Sequence, residues 1–362
     1  MINRYTLLLG CLFLTFGVLL EARTDPVVTS TGTKLLVVDS ANDSVLAFDA
    51  AAGAFLGTFI PASSGGLHSA EGLTTGPDNN VYVASWSSSS VKRYDGRTGA
   101  FIDDFIAAGS GGLGNPDQVL FGPDGKLYVS DRFASSIRRY DGTTEAFIDT
   151  FVSNGGLIGF LSFNFGPDGN IYAGMFNPSH GQNILRFNGI TGAFIDVFNS
   201  GNPDHDSAVG GLAFGADGNL YACRFHADLV ERYNGTTGAY IDDFVPFQLG
   251  GLVTPTYLIF GTDHNLNVTG QNSHRVSRYD GATGAFIGDL GAGSALTNPT
   301  GLTLAAALPT ATPTIALLVG DYNSGKILRY DSSTGAFLGT FAENAELGDP
   351  FNSLLAQIAI ST

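Results

Sequence analysis

Short apolar runs of four to six residues alternate with Gly, Asp, Asn and Thr turns along nearly the whole chain, and apolar spacing of the helical kind is almost absent. One phrase punctuates the pattern. It begins with an aromatic residue, turns through Asp-Gly-x-Thr-Gly or a close variant, and ends in Ala-Phe-Ile-Asp. Copies start at Phe48, Tyr94, Tyr140, Phe187, Tyr233, Tyr279 and Tyr330, which is a spacing of 46 or 47 residues with one final interval of 51. Strand-rich repeats with a period in the forties predict an all-β propeller, one repeat per blade.

Each repeat divides into four strands. In the third, Gln118–Phe121 reads as the inner strand and Lys126–Ser130 as the second, joined by a tight turn at Gly122-Pro123-Asp124-Gly125. Ser136–Tyr140 follows as the third strand and Ala146–Phe151 as the outer one. Asp-Gly supplies the positive φ that a tight hairpin needs. The first copy opens directly on a second strand, Lys34–Val38, and lacks an inner one. Leu354–Ile360 reads as an inner strand with no blade of its own. The expectation is therefore a seven-bladed ring of four-stranded blades spanning 31–362, closed by that C-terminal strand beside the N-terminal copy. The stretch Leu308–Pro313 reads as a surface excursion that lengthens one hairpin.

Residues 1–22 stand apart. Arg4 precedes an apolar run from Thr6 to Leu20, and Ala22 is a small residue suited to cleavage, so a signal peptide is expected. That implies a secreted or periplasmic mature chain with no membrane span. Of the two cysteines, Cys11 falls in this leader and Cys223 is left alone, so the mature chain has no internal disulfide. A formal charge of −16 in 362 residues leaves nothing to neutralise phosphate and speaks against a nucleic-acid partner.

Candidate chemistry lies in the loops. Turns between first and second strands, and between third and fourth, are nearly uniform among the copies. Second-to-third loops and blade connections vary, and they share the other rim, which is expected to face a protein, peptide, glycan or small molecule. His68, Arg132, His180, His205, Asp206 and Arg224 belong to that rim, with His226 and His274 as candidate proton carriers. Glu71 and Asp117 fall at matching positions before their inner strands, facing the central channel. Asp39, Asp131 and Asp321 share the end of the second strand. Carboxylates gathered around one axis could hold Ca²⁺ or Mg²⁺. Asp39, Asp131 and Asp321 could equally cap loops by accepting backbone amides. No Gly-x-Ser-x-Gly elbow or phosphate-binding glycine loop is present.

Asn272-Ser273-His274-Arg275-Val276, and the frame Asp-Gly-x-Leu-Tyr-Val-x-Asp at Asp124–Asp131, resemble NHL repeats. Related propeller families include streptogramin lyases and the SMP-30/gluconolactonase group. The resemblance implies two readings: a non-catalytic binding scaffold, or a metal-dependent lyase or lactonase. In the second, a cation near Glu71 and Asp117 would polarise a carbonyl and His226 or His274 would move the proton.

Overall fold

The computed structural model describes residues 33–153, 162–175, 184–199, 208–290 and 296–305, and the backbone of three further strands between 316 and 343. Its described residues build six four-stranded antiparallel sheets and one three-stranded sheet. Blades II to VI run in simple meanders over residues 70–106, 116–153, 162–197, 209–245 and 255–289. Blade I combines Lys34–Asp39, Ser44–Asp49 and Phe55–Ile60 with an inner strand taken from Pro299–Ala305.

The ring has six blades, and this corrects the expectation of seven. Pro299–Ala305 pairs with the first strand in the register Lys34↔Ala305, Leu36↔Thr303 and Val37↔Leu302. Its far side meets blade II, where Thr300 donates to the Glu71 carbonyl at 3.1 Å and Gly301 lies against the Glu71–Gly72 backbone. Thr256 of blade VI reaches the Pro299 carbonyl at 3.4 Å from the other direction. Ala316–Asp321, Lys326–Asp331 and Phe337–Glu343, the seventh repeat, form the three-stranded sheet and, among the described residues, pair with no strand of the ring. Leu354–Ile360 lies outside the described residues.

The physical cause lies in one connection. Blades II to VI join inner to second strand by a four-residue turn such as Gly122–Gly125, so each inner strand is bound to the strand that follows it. Between Ala305 and Ala316 the chain instead spends ten residues, including Pro309 and Pro313. Ten residues are more than a tight turn uses. The strand is left to the N-terminal sheet, where Asp39 accepts the amides of Thr297 at 3.2 Å and Asn298 at 3.0 Å.

Repeated side-chain devices hold the blades. Asp78, Asp124, Asp168 and Asp217 each accept an amide two residues on and a tyrosine hydroxyl from the second strand, at 3.0 to 3.1 Å. Those tyrosine rings are the core between blades. Tyr82 packs edge-on against Phe105 of its own blade and Phe121 of the next, both at 4.9 Å. In the third strand Tyr94, Tyr140 and Tyr279 donate to carbonyls in the connection ahead of their blade, at 2.8 to 2.9 Å. Asp95 at the second turn accepts the amides of Arg97 and Thr98, and those hydrogen bonds hold its carboxyl below the usual range. That turn ends in Gly99 at φ +72°, where a Cβ would sit 1.8 Å from the Phe59 carbonyl oxygen of the neighbouring blade. Only glycine fits there.

Candidate functional site

The inner strands of blades II, III, V and VI all bulge near their start, with register shifts at Ala70/Leu73, Pro116/Val119, Val209/Leu212 and Pro255/Leu258. A bulge re-aims the residues inside it. The first residue within the shift is Glu71, Asp117, Gly210 and Thr256, and Thr300 matches it in blade I. Three of these line one cavity with two carboxyls, so small or hydroxyl-bearing residues leave room and two adjacent blades fill it with acid.

That cavity, of about 250 Å³, is lined by Glu71, Asp117, Arg132, Phe225, Tyr257 and Gln271, with Gly210, Thr256 and Thr300 completing its wall. Tyr257 follows Thr256, where blades I, II and V carry glycine. Its hydroxyl crosses from blade VI to donate to Asp117 Oδ1 of blade III at 3.0 Å. Arg132 leads the second-to-third loop of blade III and brings Nη1 to 3.7 Å from Asp117 Oδ2. Its guanidinium lies over Trp86, 5.6 Å from the ring centre, and Trp86 meets Phe133 edge-on at 5.3 Å.

Burial dominates the electrostatics. It pushes the Glu71 carboxyl well above the ordinary range, and the Asp117 charge adds to the rise, with Asp43 adding less; Arg132 opposes. Asp117 is pushed up to about 6 by burial, against the pull of Arg132 and the Tyr257 hydrogen bond. Burial, then the two neighbouring carboxylates, raises Tyr257 as well. Two carboxyls that ionise reluctantly, one guanidinium and one phenol can exchange a proton or receive a positively charged group.

The other expected residues lie elsewhere. Asp131 accepts the amides of Gly114 at 2.8 Å, Asn115 at 3.4 Å and Ala134 at 3.2 Å, so it and Asp39 spend their oxygens on loops. Asp321 ends the first strand of the three-stranded sheet and is not among the residues that line the cavity. Arg224 is fully buried, bonded to Glu231 and Tyr233, and faces no rim. His68 is exposed, 3.0 Å from Asp43. His226 stacks edge-on against Phe225 at 4.8 Å. His274 Nδ1 meets the Thr297 carbonyl. None of these histidines lines the cavity. His180, His205 and Asp206 lie outside the described residues. Cys223 is buried, which pushes its thiol up and away from reactivity. Sequence reasoning missed Tyr257, Phe225 and Gln271. The available signal for Tyr257 was a large aromatic where matching copies carry glycine.

Among the described residues no three of His, Cys, Asp and Glu come together as a metal cluster, and no helix is long and apolar enough to cross a membrane.

No family model and no curated protein matches this sequence. Solved structures do. The chain superposes on one from a nidogen/laminin complex with TM-score 0.59 and 19% identity, covering 77% of this chain and all of that one. A Bacteroides caccae protein of unknown function gives 0.58 and 13%, covering 76% and 99%. Catalytically inactive virginiamycin B lyase from Staphylococcus aureus, with quinupristin, gives 0.52 and 14%, covering 77% and 94%. What they share with this chain is the propeller. The resemblance to lyase-type and NHL-like propellers is one of distant structure.

Proposed function

We propose that this protein is a binding propeller whose ligand sits at the mouth of the central channel, on the rim where the copies differ. The observation that carries the reading is the convergence of Glu71, Asp117 and Tyr257, from three separate blades, on one cavity. Residues needed only for folding recur in every blade. These three do not, and setting a half-buried carboxyl beside a buried one is costly unless something offsets it. The leader-like segment 1–22 supports a protein that acts outside the cytoplasm; N-terminal sequencing of exported material, with a start near Arg23 expected, tests that part.

Gln271 provides the main test. Replacing it by Trp fills the cavity from the rim without touching the acidic pair. Compounds that raise the melting temperature of the wild type should leave Gln271→Trp unmoved. Compounds that stabilise both equally bind elsewhere and sink the reading.

A divalent cation at the same pair is a second reading, favoured by the adjacency of Glu71 and Asp117. Ca²⁺ usually collects six to eight oxygens, and here two carboxyls converge, one already engaged by Tyr257. The described residues fit such an ion poorly, and no chemical step is assigned to one. A melting temperature higher in Ca²⁺ or Mg²⁺ than in chelator, lost in Glu71→Gln/Asp117→Asn, would establish it.

A further inference from the structure

The two acids at the channel mouth are unequally provided for. Asp117 receives the Tyr257 hydroxyl on one oxygen and faces Arg132 with the other. Glu71 lines the same cavity, yet its carboxyl accepts no hydrogen bond from any described residue. A half-buried carboxyl so placed is open to a positively charged donor from outside. Apolar surface stands beside it. Phe225 forms part of the wall, and the Trp86–Phe133 pair flanks Arg132, with Phe133 75% exposed.

Resting on the reading of the mouth as a binding site, we propose that the ligand carries a primary ammonium group on an aromatic or aliphatic body. The ammonium docks against Glu71 and Asp117, and the body lies toward Phe225 and the Trp86–Phe133 pair. Three hydrogens on one nitrogen suit two carboxyls. The positive charge lets two neighbouring carboxyls ionise together, which burial otherwise opposes, and a chain of net charge −16 draws cations toward it. A neutral alcohol brings no charge to offset two ionised carboxyls. A carboxylate meets two acids and a guanidinium already turned to Asp117.

A proton balance follows. The charged groups acting on Glu71 are Asp117, Arg132, Asp43 and the Tyr257 phenol. Burial raises both carboxyls, Asp117 to about 6, and an arriving ammonium opposes that rise; the ammonium keeps its three hydrogens and the carboxyl proton passes to buffer. Binding therefore releases protons at a pH near 6, where Asp117 titrates.

Titration calorimetry of the full mature chain with 2-phenylethylamine, 2-phenylethanol and 3-phenylpropanoate, in two buffers of different ionisation heat, tests this. The amine should bind at least about tenfold tighter than the other two and release protons. Glu71→Gln should weaken the amine by about ten- to a hundredfold, the worth of a charge-assisted hydrogen bond, and leave the alcohol unchanged. Alcohol binding equal to amine binding, or an amine affinity untouched by Glu71→Gln, overturns the proposed class and leaves the mouth as a binding site. So does binding without proton release, which decides the matter in the wild type alone if Glu71→Gln does not fold. If none of the three binds and no library compound distinguishes wild type from Gln271→Trp, both readings fall.

Discussion

Blades III and V carry the same pair of positions with the charges exchanged. In blade III, Asp131 ends the second strand and Arg138 stands two residues into the third, with Arg138 Nε 3.3 Å from the carboxylate. In blade V, Arg224 and Glu231 hold those places. The consequences differ. Asp131 is short and a pure acceptor, so it also gathers loop amides from both sides. Arg224 has donors only, cannot serve an amide, and folds back onto Glu231 and the Tyr233 hydroxyl with no solvent exposure at all. Coulomb attraction is indifferent to which strand carries which sign. Loop capping is not, because backbone N–H groups need an acceptor.

Breaking the blade V pair should have the largest effect. Glu231→Gln takes a carboxylate away from a fully buried guanidinium and should cost about 3–5 kcal/mol, whereas a well-packed apolar double replacement, Arg224→Met with Glu231→Leu, should recover most of it. Denaturant unfolding of the three proteins decides this, and a loss under 1 kcal/mol in the single variant would contradict full burial. In blade III, Asp131→Asn should cost about 1–2 kcal/mol by weakening charge-assisted bonds to the loop, with amide exchange accelerating at Gly114 and Ala134.

Asp117 sharpens the contrast, being a blade III carboxyl with one hydroxyl donor and no cap. Its folded pKa, about 6, lies above the ordinary value near 3.9. The folded state therefore holds its proton longer, and stability falls as pH rises from about 4 through 6 and stays lower above. Turn aspartates such as Asp95 and Asp280, held below the usual range by turn hydrogen bonds, act oppositely and lose stability only toward acid. Subtracting the pH profile of Asp117→Asn from that of the wild type isolates the term. A difference flat between pH 4 and 7 would remove the argument for a strained acid there.

The smallest effect concerns the second turn. Blade V ends it with Gly238, while blade III places Glu145 at φ +67°. Glu145→Gly should stabilise by about 1 kcal/mol through relief of the left-handed conformation, less whatever the exposed contact with Arg93 contributes. Thermal unfolding measures it, and a loss would mean that the ion pair outweighs the backbone.

The blades were legible in sequence because their turns are chemical. Asp-Gly and Asp-Gly-x-Thr-Gly each dictate a backbone path, and the structure follows them. Blade number was not, because Pro299–Ala305 and Leu354–Ile360 both read as inner strands. Pairing preference alone does not rank them; the long Pro309–Pro313 connection does. Glu71 and Asp117 were legible as acids at matching positions by their inner strands, where side chains face the channel. Their partner Tyr257 was hidden by the same count, since blade VI lies opposite blade III only when there are six. Arg224 misled because its inward turn depends on Glu231, seven residues away.

Blade I cannot be finished until its last strand exists. During synthesis, Lys34 to Ile60 emerge first and then wait for Pro299–Ala305, roughly 240 residues later, or about 12–50 s at ordinary elongation rates. Until then the ribosome carries a growing arc of meanders with an open first sheet, exposed to any passing strand. The nascent chain thus has a defined window in which residues 34–39 stand unpaired on one side and open to chaperone binding, and the window shuts when residue 305 arrives.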